Sequence, residues 1–227
     1  MTSPVARLSC SPTIETLQSR LRIDGYAVAH GHIDAGLIAN LRVETDALLG
    51  RFAAGDRSDD FWCYEDGSTG RSMLYRVHNL EKQGAAGCAD LFRTAVLNHL
   101  AAALIGAVRA TVCAMVVKTP GVAGVPWHRD RIDVAPGTAI NLSVFLDRAT
   151  VQNGCFEAVP GSHLLADDAD VPRTHELGLR VAVPAEPGDV LIHDVRLIHG
   201  SGDNPNGELR RSIIIEFASE TSTSQTG

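Results

Sequence analysis

The chain has 227 residues, 44 % hydrophobic and 21 % charged, with a formal net charge of −7. That length and composition fit one globular domain with a sizeable core, and the acidic balance disfavours a broad nucleic-acid surface. Cys10, Cys63, Cys88, Cys113 and Cys155 are odd in number, scattered and without a C-x-x-C pair, against a disulfide framework; with no apolar opening segment and no apolar run near the roughly 20 residues of a membrane span, a cytoplasmic, reduced protein is expected.

In chain order, Ser11 followed by Pro12 reads as a helix start, with Ile14, Leu17 and Leu21 recurring at helical spacing. Asp24-Gly25 is a turn, and Tyr26-Ala27-Val28 a short strand. Asp34 caps a second helix whose apolar stripe is Leu37, Ile38, Leu41, Leu48 and Leu49, with Gly50 as its stop. Residues 51–72, rich in Gly, Asp, Ser and Arg, read as a long loop of the kind that is more often functional than idle. A third helix is expected over 89–105. From Val108 on, short β-branched runs alternate with Gly/Pro turns: 108–118, 138–147, 155–159, 180–183, 189–199 and 211–217. That spacing predicts a sandwich or barrel. Asn153-Gly154 and Pro160-Gly161 are tight turns within it. The chain is thus mainly β with N-terminal helices: helical support over about 11–107, a barrel core over about 108–217 and a polar tail over 218–227.

The segment VPWHRDRIDV holds His128 and Asp130 two apart. In a strand they share a face, with Arg129 and Arg131 turned away. An imidazole and a carboxylate side by side are two-thirds of a facial triad, the arrangement that leaves metal positions open in non-haem iron(II) oxygenases. His199, at the end of the apolar run LIHDVRLIH and before Gly200-Ser201-Gly202, supplies a third ligand. The ordinary alternative is a local His128–Asp130 ion pair and a turn histidine at 199. His193, His163 and His78 compete for the third position on spacing alone. Eleven residues past His199, Arg210 opens RRSIIIEF, and Arg is suited to a bidentate grip on a carboxylate. A co-substrate that chelates iron through a 2-oxo acid leaves a second carboxylate to be held. Ser212 shares the Arg210 face and Arg211 faces the other way; the alternative is a solvated basic pair at a strand edge.

These residues resemble the phytanoyl-CoA hydroxylase family of iron(II)/2-oxoglutarate dioxygenases. The similar stretches are KTPGVAGVPWHRD (118–130), LSVFLDRATVQNGCFEAVPGSH (142–163), GDVLIHDVRLIHGSGDN (188–204), LRRSIIIEF (209–217) and the opening run 22–49. The resemblance implies a double-stranded β-helix of the jelly-roll type. It implies iron at His128, Asp130 and His199, the 2-oxoglutarate carboxylate at Arg210, and lesser co-substrate contacts from Lys118 and Ser201. Dioxygen is the third reactant; an unactivated C–H bond of a small molecule is hydroxylated, and succinate and carbon dioxide are released. Related halogenases have a small residue in place of the carboxylate, so Asp130 implies hydroxylation over halogenation. Ser143 stands near a place where members often have an aromatic residue. Residues 51–79 form a candidate lid with Trp62, Tyr64, Arg71 and His78, and Tyr75, Arg76, Asn79 and Trp127 are candidate substrate contacts. A rival keeps the fold without oxygenase chemistry, as a cupin-like isomerase or ligand-binding module; such sites need no anchoring arginine.

Overall fold

The computed structural model describes residues 12–66, 69–166, 179–205 and 207–220. Helix α1 (Ile14–Asp24) is capped by Thr13, whose hydroxyl accepts the Thr16 amide at 3.3 Å. Ser11, expected as the cap, lies outside the described residues. Gly25 closes the helix at φ 80°, and a Cβ there would strike the His163 ring, so glycine is required for conformation and for space. Strand β1 (Tyr26–Ala29) follows. Helix α2 (Ala35–Ala53) is capped by Asp34, which accepts the Gly36 and Leu37 amides. It runs through Gly50, contrary to the expected stop, because Leu49 and Phe52 pack on the core on either side of it; packing outweighs one glycine.

Residues 51–72 are not a plain loop. The aromatic run Phe61-Trp62-Cys63-Tyr64 forms strand β2 (Phe61–Glu65), which pairs antiparallel with β3 (Ser72–His78). The expected third helix is two: α3 (Ala86–Arg93) and α4 (Ala95–Ile105), parted where Thr94 is extended at ψ 137°. Contrary to the expectation of no spanning run, Ala86–Ile105 has the length and mean hydropathy of one. The break at Thr94 and the burial of Cys88, Leu91, Leu97 and Leu100 mark it as a pair of core helices.

The remaining strands are β4 (Val108–Lys118), β5 (Val125–His128), β6 (Ala139–Phe145), β7 (Phe156–Ala158), β8 (Val181–Val183), β9 (Val190–Asp194), β10 (His199–Ser201) and β11 (Arg210–Ser219). They form two antiparallel sheets, ordered β1-β9-β6-β11-β4-β3-β2 and β5-β10-β7-β8. This is the expected jelly-roll architecture, mainly β with helices on one side. The first 107 residues are more than helical support, since β1 and β2 form the two edges of the larger sheet.

Two-residue alternation divides that sheet. Ile140, Leu142, Val144, Ile192, Ile213, Ile215 and Met115 join Leu17, Leu41, Leu91 and Leu97 in one buried cluster under the helices. Each such side chain contributes about 1.5–3 kcal/mol through burial. Asn141, Ser143, Phe145, Leu191, His193 and Ser212 face the other way, into a cavity between the sheets. Strand β6 is therefore buried along its whole length, with polar residues only on the cavity side.

The expected strand 189–199 is broken. Asp194 ends β9, accepting the Arg196 amide through Oδ1 at 2.8 Å and the Gly137 amide through Oδ2 at 2.6 Å. This Asx turn sends the chain across to the smaller sheet. His199 consequently opens β10 and does not end β9.

Candidate metal centre and its cavity

Strands β5 and β10 pair so that His128 and His199 stand directly opposite each other, with ring centroids 4.3 Å apart. Asp130 lies just beyond the end of β5, not in the strand as expected. The bend after His128 still returns its carboxylate to the imidazoles. One ligand atom from each of His128, Asp130 and His199 lies within 4.8 Å of the others. His128 Nε2 is 3.5 Å from Asp130 Oδ1, and His199 Nε2 is 3.8 Å from Asp130 Oδ2.

The donor set fits a divalent metal. His128 Nδ1 lies 2.8 Å from the Pro126 carbonyl and His199 Nδ1 2.9 Å from that of Leu197. A carbonyl only accepts, so each Nδ1 carries the proton and each Nε2 lone pair is free to face a metal. Asp130 Oδ2 accepts from Asn141 Nδ2 at 2.8 Å and from His193 Nε2 at 3.0 Å. His193 Nδ1 is buried without a partner among the described residues, consistent with the Nε2–H tautomer. His193 thus touches the carboxylate and is not one of the three converging donors. Burial, opposed by Asp130 and reinforced by His193 and His128, pushes His199 down to about 3. It is a neutral imidazole at any ordinary pH. Burial raises Asp130, but the three imidazoles outweigh it and hold the carboxyl well below its usual range. An ionised carboxylate and neutral imidazoles are the protonation states a metal requires.

The donors open into a cavity of about 590 Å³. Its far wall carries Arg210, 5 % exposed, on β11 opposite Lys118 of β4. Among the described residues the Arg210 guanidinium donates only to the Gly154 carbonyl, and its Nε has no partner. Gly154 (φ 72°) sits so close to the Gly202 carbonyl that no Cβ fits. Burial pulls Arg210 down to about 10. Lys118, 1 % exposed, donates to Ser201 Oγ at 2.8 Å and to the Gly202 carbonyl. Burial, then neighbouring Arg210, lowers it to about 8. Ser201, Ser212 and Ser143 also line the cavity, and Phe145, Phe156, Leu191 and Ile214 give it apolar walls.

Of the expected substrate contacts, Tyr75 and Arg76 line the cavity, together with Tyr64. Trp127 and Asn79 are not among its lining residues. Trp127 alternates away from His128 on β5. Asn79 is a turn residue at φ 50°, donating to Asp60 at 2.7 Å and accepting from Lys82. His78 stacks on Trp62 and His163 packs beneath Gly25, so neither competes for the metal. Arg129 and Arg131 point elsewhere: Arg129 to the Ala166 carbonyl, Arg131 to Asp133 and Glu216. Arg211 is no solvated edge charge. It is 5 % exposed and bound to Asp147, Asp46 and Thr45. The sequence assigns Asn141 no role; one of two polar residues in the apolar run AINLSVF, on the same face as Ser143, it is marked by that alternation alone.

The family model for phytanoyl-CoA dioxygenase matches residues 21–212. The solved structure of AviO1 from Streptomyces viridochromogenes Tue57 superposes with a TM-score of 0.88 at 47 % identity, over 94 % of this chain and 98 % of that one. The epimerase SnoN from nogalamycin biosynthesis, described as non-haem and alpha-ketoglutarate-dependent, superposes with a TM-score of 0.76 at 28 % identity, over 91 % of this chain and 80 % of its own. Dioxygenase cdmD of Talaromyces verruculosus is 28 % identical over 87 % of this chain and 71 % of its own length.

Proposed function

The chain belongs to the phytanoyl-CoA dioxygenase family, and from that premise we propose that it is an iron(II)- and 2-oxoglutarate-dependent dioxygenase hydroxylating an unactivated C–H bond of a small molecule. The observation that carries this reading is the convergence of His128, Asp130 and His199 on one point of a cavity whose wall holds an under-satisfied Arg210. Iron bound there with 2-oxoglutarate supplies dioxygen activation and hydrogen abstraction, the co-substrate leaving as succinate and carbon dioxide.

The chain's own residues do the rest. His128 and His199, oriented by the Pro126 and Leu197 carbonyls, present their Nε2 atoms to the metal position; burial lowers His128, but Asp130 and the Pro126 carbonyl outweigh it and raise its value, so metal binding there competes with a proton. Asn141 and His193 tie back one oxygen of Asp130. Among the described residues Arg210 has no acidic partner, and it takes the remote carboxylate of the co-substrate, in a bond strengthened by burial. The hydrogen bond from the Lys118 ammonium orients the Ser201 hydroxyl beside it. Phe145, Phe156, Leu191 and Ile214 exclude water, so that the oxidant meets substrate and not solvent. Asp130 fills the position that a halide would need, which favours hydroxylation over halogenation. A cupin-like module without oxygenase chemistry would leave the buried Arg210 without a purpose.

The test is stoichiometric. The full chain, supplied with iron(II), 2-oxoglutarate and dioxygen, should release succinate, and Ala replacement of any triad member should abolish release. A substrate should gain the mass of one oxygen atom. Turnover that survives in two of the three Ala variants refutes the assignment, and a product of unchanged mass refutes hydroxylation.

A further inference from the structure

We propose that Arg76 anchors an oxyanion of the substrate itself, a carboxylate or phosphate-type group, so that the molecule oxidised here is an anion. The inference deepens the dioxygenase reading and rests on it. It begins with how the protein treats its enclosed guanidinium groups. Arg196 donates to four backbone carbonyls, those of Ile132, Val134, His163 and Leu165. Arg211 is held by two carboxylates and a hydroxyl. Both are satisfied within the fold, as buried charge requires. Arg210 and Arg76 depart from this pattern, and both line the one cavity that holds the metal donors. Arg210 has a single carbonyl partner. Arg76 has a buried Nε and no hydrogen bond or ion pair among the described residues. A guanidinium carried into a cavity without a partner is costly unless a ligand completes it.

Arg76 enters the cavity from a strand other than the one that carries Arg210. Arg76 lies on β3, opposite Val116 of β4, and β4 in turn pairs with β11. Two strand spacings, roughly 10 Å, separate the β3 and β11 backbones. With Arg210 assigned to the co-substrate, Arg76 on its separate strand is left for the substrate. The phenols of Tyr64 and Tyr75 line the same end of the cavity, their rings 6.2 Å apart, and add polar edges beside the guanidinium. Charge points the same way. The lining holds three cations, Arg76, Lys118 and Arg210, against one carboxylate, Asp130, whose field reaches Arg76. Iron(II) and the 2-oxoglutarate dianion cancel, so the lining keeps net positive charge, and a low-dielectric site of that sign selects an anion.

The experiment uses two probes, methyl phosphate and propionate. Each is titrated calorimetrically into the full chain loaded with manganese(II) and saturating 2-oxoglutarate, so that the Arg210 end is already filled. At least one should bind wild type, and the stronger identifies phosphate or carboxylate as the natural group. Arg76→Gln should raise that dissociation constant about tenfold or more, Arg76→Lys should recover part of it, and 2-oxoglutarate affinity should stay within about twofold in both. If the Gln variant fails to fold, the Lys variant carries the comparison, with a smaller loss of the same sign. Probe binding as tight in the Gln variant as in wild type overturns the proposal, as does a wild type that binds neither probe while holding 2-oxoglutarate. Failure of wild type to bind 2-oxoglutarate at all is a separate reading of the same titration and overturns the dioxygenase assignment beneath it.

Discussion

Replacing Arg210 by Met should stabilise the unliganded fold while weakening 2-oxoglutarate binding. Arg210 is 5 % exposed, and burial has pulled it below the ordinary guanidinium value, to about 10. That shift is worth roughly 3 kcal/mol against the charged form. Methionine retains the buried aliphatic stem and removes the charge, but leaves the Gly154 carbonyl without its donor, a loss of about 1–2 kcal/mol. The metal-free, ligand-free variant should therefore gain about 1–2 kcal/mol. Binding moves oppositely. Truncating one side of a buried charge pair costs about 2–5 kcal/mol, or roughly thirty-fold to several thousand-fold in dissociation constant. Urea denaturation of both proteins, with and without manganese(II) and 2-oxoglutarate, reads both effects. Wild type should gain about 2.7 kcal/mol at a hundred times its dissociation constant, and the variant at most about 0.9 kcal/mol at the same concentration. A variant that is less stable than wild type and binds 2-oxoglutarate within threefold of it would refute the reasoning.

The neighbouring arginine supplies the contrast: Arg211→Ala removes a buried guanidinium from Asp147, which keeps Arg42, and from the exposed Asp46 and should cost about 1–3 kcal/mol of stability by denaturation, without changing 2-oxoglutarate affinity in the fraction that remains folded. Asn141→Leu frees one side of the Asp130 carboxylate and should weaken metal binding about 10–100-fold by titration with manganese(II), without abolishing it. His163 is buried and held below its ordinary value, chiefly by desolvation. Its lowered folded value means that the unfolded chain takes up the proton first. Its contribution is complete above about pH 6.5 and is lost as pH falls below that, at up to about 1.4 kcal/mol per pH unit; His163→Asn should flatten that part of the denaturation profile.

The candidate metal donors are legible in the sequence as residue types at a spacing, although strand alternation is not what brings them together. Strand alternation was to bring His128 and Asp130 together, yet Asp130 lies past the strand and a bend returns it. His199 was read as the end of a strand, whereas the Asp194 turn moves the chain into the other sheet and lets His199 face His128 across β5 and β10. No periodicity encodes that crossing; an Asx turn inside an apolar run is its local trace. Gly50 and Thr94 show the same limit from opposite sides. Packing carries α2 through a glycine, and a residue of middling helix propensity parts α3 from α4. The hairpin of β2 and β3 was hidden because Gly, Asp and Arg around it dilute the aromatic signal. Arg210 and Arg211 could not be ranked by composition. Alternation separated their faces, but only the positions of Asp46 and Asp147, distant in sequence, show that one arginine serves the fold and the other the cavity.

A crystal grown without oxygen from the full chain with iron(II) and 2-oxoglutarate, with anomalous scattering recorded at the iron edge, addresses the central claim most directly. A single iron peak bonded to Nε2 of His128, a carboxylate oxygen of Asp130 and Nε2 of His199, with the remote co-substrate carboxylate on Arg210, is the expected result. Iron bound through His193 in place of one of these donors, or a co-substrate turned away from Arg210, would contradict it.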